Sequence, residues 1–179
     1  KVLRHKFLLA QESDVTDLAE AHLPQGFETL PLPGHFFDMV GFRTPDGTVF
    51  LADCISSRDT LDKYGVPFIY DVAAYLQTLD QVEALEAPLF VPAHAEAASD
   101  VRELVSYNRA KVLEIGETLR SICGTPLCFE EILQQAFAHY GLTMNFEQYA
   151  LVGSTVRSFL TWLKDSRRLS ASFQSNMLL

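Results

Sequence analysis

Leu32-Pro33-Gly34-His35-Phe36-Phe37-Asp38-Met39-Val40-Gly41-Phe42-Arg43 leads directly into Thr44-Pro45-Asp46-Gly47-Thr48-Val49-Phe50-Leu51-Ala52-Asp53. Pro33-Gly34 ends a short β-prone segment, Thr29–Leu32, and leaves His35 just beyond it. Pro45-Asp46-Gly47 is a turn sequence, and the segments on either side, Met39–Arg43 and Thr48–Ala52, read as a hairpin. Asp53 follows the second of them. The stretch therefore predicts a sheet with one histidine and one aspartate presented at the same edge.

Downstream, residues 54–70 read as irregular and aromatic, with Tyr64, Phe68 and Tyr70 lining a pocket or filling core. Asp71 caps a helix whose apolar positions, from Val72 and Tyr75 to Val82 and Leu85, recur with the period of one buried face. Pro88–Pro92 is a short buried strand, and the loop after it carries His94. Ser99 or Asp100 caps a long helix that runs to Ile122. Strand, strand, strand, helix, strand, helix is an α/β (α+β) layer order. Upstream, Val2–Leu9 reads as a strand, and residues 13–21 as a short helix capped by Ser13 or Asp14. Composition shifts at Cys123-Gly124-Thr125-Pro126, which divides the chain into domains at 1–122 and 123–179. The second carries helices Phe129–His139 and Phe146–Lys164, then two short strands, Arg168–Phe173 and one starting at Asn176. That order is the shape of a small winged-helix-like domain.

The chain has 179 residues, 48% hydrophobic and 21% charged, a balance that predicts a packed core and not disorder. No apolar run approaches the ~18 residues that span a bilayer, and no signal peptide opens the sequence. It starts at Lys1 in mid-pattern, which reads as an excised or processed piece. The net charge of -9 weighs against nucleic-acid binding, because phosphate contacts need a basic face. Lys164 with Arg167 and Arg168, and Lys1 with Arg4 and Lys6, read as solvated surface clusters. Helix Phe146–Lys164 is also too apolar to suit a DNA groove. Three cysteines, an odd number, argue against a secreted disulfide framework and for reduced thiols at Cys123 and Cys128, hence a cytoplasmic origin.

His35, Asp53 and His94 each stand just after a predicted strand, in order along one edge. A lone histidine in such a place is more often a structural hydrogen-bonding group than a ligand. Three donors at one edge carry more weight. Imidazole and carboxylate suit zinc, and also manganese or iron(II).

Leu32-Pro33-Gly34-His35, Leu51-Ala52-Asp53 and Val91-Pro92-Ala93-His94 resemble the metal-binding segments in the C-terminal half of the metallo-β-lactamase superfamily, an αββα sandwich. The stretch Val40-Gly41-Phe42 and the helix carrying Asn108-Arg109 add to the likeness, which covers residues 1–122. Winged-helix tails occur in several branches of that superfamily. The resemblance implies that His35 serves one metal, His94 a second, and Asp53 bridges both, with zinc first and manganese or iron as substitutes. It implies a hydrolase that uses a metal-bound hydroxide on a small ester, thioester or phosphoester. The sequence departs from the pattern in places. Ala52 and Ala95 stand where glycine is usual, and Phe36-Phe37-Asp38 replaces Thr-Pro-Gly. Asp38 reads as a turn cap or a hydrogen-bond partner of a ligand histidine.

The family's first half carries His-x-His-x-Asp-His, and nothing like it occurs among the five histidines here, at 5, 22, 35, 94 and 139. Each implied metal then has fewer than the three protein ligands usual for catalytic zinc. The expectation is a fragment that holds metal weakly or not at all and does not turn over substrate, cut from a metal-dependent hydrolase. The alternative is a non-catalytic scaffold whose winged helix mediates protein contacts. Half a sandwich also leaves one sheet face uncovered, which predicts a homo-oligomer.

Overall fold

A computed structural model describes residues 14–18, 20–175 and 177–178. Its main sheet has four strands in sequence order, β1 Glu28–Pro31, β2 Val40–Arg43, β3 Val49–Ser56 and β4 Phe90–His94. The first three run antiparallel, and β4 joins β3 in parallel. A parallel neighbour needs a crossover, here built from α1 Arg58–Tyr64 and α2 Val72–Ala84. The β2–β3 turn works as its residues predict. Gly47 takes a φ of 85°, and Asp46 accepts hydrogen bonds from the hydroxyls of Thr44 and Thr48.

Strand alternation separates two faces of this sheet. Val49, Leu51 and Phe90 are buried beneath α2 and the long α3, Arg102–Ile122. The opposite face carries the register row Thr29, Phe42, Phe50 and Val91, with Phe50 42% exposed. After α3 come α4 Phe129–His139, α5 Phe146–Asp165 and a hairpin of β5 Phe173–Gln174 with β6 Met177–Leu178. Helix, helix, ribbon is the expected order, although the expected strand Arg168–Phe173 is not strand over 168–172 and pairing begins only at Phe173. Buried residues on both sides of Cys123 form one continuous cluster, running from Leu32 and Leu51 through Ile115 and Leu119 to Val156 and Phe159. The buried Thr155 hydroxyl accepts from the Ile69 amide at 3.1 Å, which ties α5 to the loop before α2.

Four other expectations change. Residues 54–70 are not wholly irregular, because α1 forms there, capped by Ser57 accepting from the Thr60 amide and closed by Gly65. β3 continues through Asp53 to Ser56, and β4 runs through His94, so these two side chains sit within strands. The long helix starts at Arg102, although the Asp100 carboxylate still accepts from the Arg102 amide at 2.9 Å. The expected helix over 13–21 is absent over its described residues, which show a single turn closed by Glu20 N to Asp17 O. Val15 is 89% exposed there. With no apolar face to bury, nothing offsets the cost of nucleating so short a helix. The expected strand Val2–Leu9 and the cap Ser13 lie outside the described residues. Cys54, Cys123 and Cys128 are free thiols. No helix among the described residues is long and apolar enough to cross a membrane.

Candidate metal centre

His35 is placed by backbone docking. Gly34 has a φ of 125°, and a Cβ there would lie 2.3 Å from both the nitrogen and the Cα of Tyr75. Its carbonyl accepts from the amides of Tyr70 at 2.9 Å and Asp71 at 3.0 Å. One residue earlier, the Pro33 carbonyl accepts from the Thr78 hydroxyl at 2.6 Å. The Pro-Gly turn is thus clamped onto the start of α2, and His35 leaves it toward the sheet edge. Its ring meets Phe68 edge-on at 5.4 Å between centroids. Burial pushes the His35 imidazole below its ordinary pKa, against the pull of Asp53, with help from His94; a hydrogen bond to the Phe68 backbone opposes the shift. A neutral imidazole is the form that ligates metal.

Asp53 is placed by a β-bulge. The β3–β4 register shifts on both sides of Ala52, which takes a φ of 49°. A bulge adds local twist and re-aims the next side chain. Cys54 and Ile55 are consequently both buried, although they are adjacent in a strand. Left-handed backbone explains why the related pattern has glycine at this position. Alanine holds it at a cost of about 1 kcal/mol.

His94 ends β4, and its carbonyl accepts from the Ser57 amide at 2.9 Å. The adjoining end of β3 is held by Asn108, which is 1% exposed on α3. The Asn108 amide oxygen accepts from the Ser56 amide at 3.0 Å and the Tyr75 hydroxyl at 3.3 Å. Its nitrogen donates to the carbonyls of Ser56 at 2.9 Å and Leu104 at 2.8 Å. All of its hydrogen-bonding groups are engaged, so one side chain joins α2, α3 and the strand that carries Asp53.

The three side chains converge. His35 Nε2 lies 3.6 Å from Asp53 Oδ2, and His94 Nε2 lies 3.5 Å from Asp53 Oδ1. Both distances exceed a direct hydrogen bond. Both are close to the spacing of two donors on one tetrahedral zinc, roughly 3.3–3.6 Å for bonds of about 2.0–2.2 Å. Each histidine faces its own oxygen of the Asp53 carboxylate. Among the described residues, no three or more His, Cys, Asp or Glu side chains are grouped closely enough to hold a metal ion.

The trio opens into a cleft of about 520 Å³. Tyr64 and Phe68 line it, as does α5 through Gln148 and Leu151. Tyr70 does not. It joins an exposed aromatic cluster with Phe36 and Phe37, at 5.9 and 5.6 Å between centroids. Asp38 makes no side-chain hydrogen bond or ion pair with a described residue, so neither expected role is realised. Sequence reasoning missed α1, and it missed the places of Asn108 and α5 at the site. The first had a local signal, Ser57 at a cap position with Gly65 at the stop. The other two act through contacts across the fold, which no local pattern records.

No protein-family model matches the sequence, and no curated protein matches it. Solved structures do. A metallo-β-lactamase family protein from Thermus thermophilus superposes with a TM-score of 0.66 at 16% identity, over 86% of this chain and 48% of its own. A β-lactamase domain protein from Burkholderia ambifaria gives a TM-score of 0.70 at 17% identity, over 88% of this chain and 51% of its own. The chain therefore has a metallo-β-lactamase fold, and it spans about half the length of the structures it matches.

Proposed function

We propose that this chain is the C-terminal part of a metal-dependent hydrolase acting on a small ester, thioester or phosphoester. The observation that supports it is the placing of the His35 and His94 imidazoles on separate oxygens of Asp53, at metal-ligand spacing, on the rim of a cleft. In this reading His35 and Asp53 hold one metal, Asp53 and His94 the other, with zinc the best match to the donors. A bound metal of this kind polarises an electrophilic oxygen and brings a water's pKa toward neutrality. The chain's own residues set the geometry. The Gly34 clamp orients His35, the Ala52 bulge turns Asp53 toward both histidines, and Asn108 fixes the strand end between Asp53 and His94. Phe68 packs edge-on against the His35 ring and restricts its orientation.

Two ligands per metal make for weak binding by the isolated chain, and the remaining ligands come from the half of the fold it does not contain. The row Phe42, Phe50 and Val91 is the seat of that second layer. In the isolated chain a second copy takes the place, giving a homodimer in sedimentation.

Calorimetric titration with zinc tests the reading. Expected is weak uptake by the wild-type chain, lost in Asp53→Asn and reduced in His35→Gln and His94→Gln. A wild-type chain that takes up no zinc at millimolar concentration, or an Asp53→Asn chain that binds as well as wild type, would overturn it. The competing reading is a non-catalytic scaffold with a winged-helix module for protein contacts. The exposed Phe173, Met177 and Leu178 of the C-terminal hairpin favour it. Tight stoichiometric zinc together with hydrolysis of p-nitrophenyl acetate would exclude the scaffold and also the weak-binding expectation.

A further inference from the structure

The cleft beside the candidate metal centre is walled by helices from distant parts of the chain. α1 supplies Lys63 and Tyr64, and α5 supplies Gln148 and Leu151. The buried Thr155–Ile69 hydrogen bond fixes α5 to the loop between them, so this wall is built into the core and does not drift with the tail. Tyr64 is 51% exposed and Leu151 49% exposed, and the buried Val152 next to Leu151 lines the same cleft. Tyr64, Leu151 and Val152 therefore give the cleft an apolar, partly open wall.

Its rim carries an unusual charge. The chain has 23 acidic residues against 14 lysines and arginines. Among the described residues, only Lys63, Arg157 and Arg167 of those cations form no ion pair. Of the three, Lys63 alone lines this cleft. Its Nζ lies 5.1 Å from the centre of the Tyr64 ring, and Asp59, one turn back, does not pair with it. A cation left without an ion pair in so acidic a protein, beside an apolar wall, is matched to an anionic group. Asp53 and Asp59 share the lining and repel a second negative charge. A volume of about 520 Å³ suits a small molecule and not a polymer.

We propose that Lys63 and Tyr64 of α1, with Gln148 and Leu151 of α5, form a specificity subsite for a small molecule with an apolar body and a single anionic end. Its role as a substrate subsite rests on the hydrolase reading; its binding does not. Lys63 pairs with the anion, Gln148 offers an amide to the same end, and Tyr64 with Leu151 covers the apolar body. That body then reaches toward His35, Asp53 and His94.

The test uses the whole chain free of metal and two probes of one shape, 4-phenylbutyrate and 4-phenylbutyramide, titrated by NMR. The acid should bind about five-fold more tightly than the amide, the size of one solvent-exposed ion pair. Lys63→Met should bring the two within about two-fold of each other, while Lys63→Arg keeps the preference. Leu151→Ser should weaken both probes alike. Lys63 and Leu151 are surface positions, so these variants keep the fold, and unchanged spectra away from the cleft verify it. Equal binding of the two probes, no binding of either at millimolar concentration, or a preference that survives Lys63→Met would overturn the proposal. Zinc titration of the same proteins separates the two ideas. A preference with no zinc uptake supports the subsite and sinks the hydrolase reading, whereas zinc uptake with no preference does the reverse.

Discussion

The loop before His35 and the bulge before Asp53 solve the same problem with different residues. Each aims a candidate ligand by a backbone of positive φ immediately before it, 125° at Gly34 and 49° at Ala52. At Gly34 two demands coincide, because the conformation is closed to side chains and the space is filled by the Tyr75 backbone at 2.3 Å. At Ala52 the conformation lies in the left-handed region, which costs alanine a modest strain and no more. Glycine needed for close approach cannot be replaced, and glycine needed for φ alone can.

That contrast can be broken most sharply at Gly34. Gly34→Ala must push α2 away from the loop, and the loss should be on the order of 3 kcal/mol or more, by overpacking and backbone strain together. Urea denaturation reads it, and a loss below about 1 kcal/mol would show that the clamp yields. Next in size is Asn108→Leu, which strands the Ser56 amide and carbonyl and the Tyr75 hydroxyl. A destabilisation of about 2–3 kcal/mol is expected, with weaker zinc uptake because the end of β3 loses its anchor. Thr78→Val removes one hydrogen bond from the same loop as Gly34 and should cost about 1 kcal/mol. The smallest effect has the opposite sign. Ala52→Gly relieves strain and should stabilise by roughly 0.5–1 kcal/mol, less the entropy that glycine adds to the unfolded chain. Zinc titration should be unchanged in that variant. If it destabilises instead, Ala52 is making contacts that outweigh its backbone strain.

Thiol chemistry offers a check on the bulge itself. Two consecutive inward residues bury Cys54 completely, and burial pushes its thiol up to about 12. Cys123 and Cys128 are only partly buried. Iodoacetamide at pH 8 should label those two in the native chain and spare Cys54 until urea unfolds it. Early labelling of Cys54 would mean that the end of β3 opens in solution.

Much of the fold was legible where a pattern repeats locally. The stripe from Val72 to Leu85 marked α2, the one from Val101 to Ile122 marked α3, and Pro45-Asp46-Gly47 marked the hairpin. The candidate ligands were legible as residue types placed near strand ends. The strand limits were not, because β3 passes its bulge and runs on to Ser56 only by pairing with β4 and by the grip of Asn108. Residues 13–21 failed the other way. Their local helix signal was real, but their described part has no core to lie against, as the exposure of Val15 shows.

By itself the sequence determined helices α2 to α5, the β2–β3 hairpin, the apolar faces and the identity of three candidate donor side chains, since each is written in periodicity or turn chemistry over a few residues. Only the tertiary structure decided that His35 and His94 face opposite oxygens of one carboxylate, that Asn108 holds the strand between them, and that α5 walls the cleft beside Lys63. Those outcomes depend on contacts such as Ser56 with Asn108 and Ile69 with Thr155. Such contacts join segments far apart in the chain, and shared burial in one core brings them together where no local pattern records the meeting.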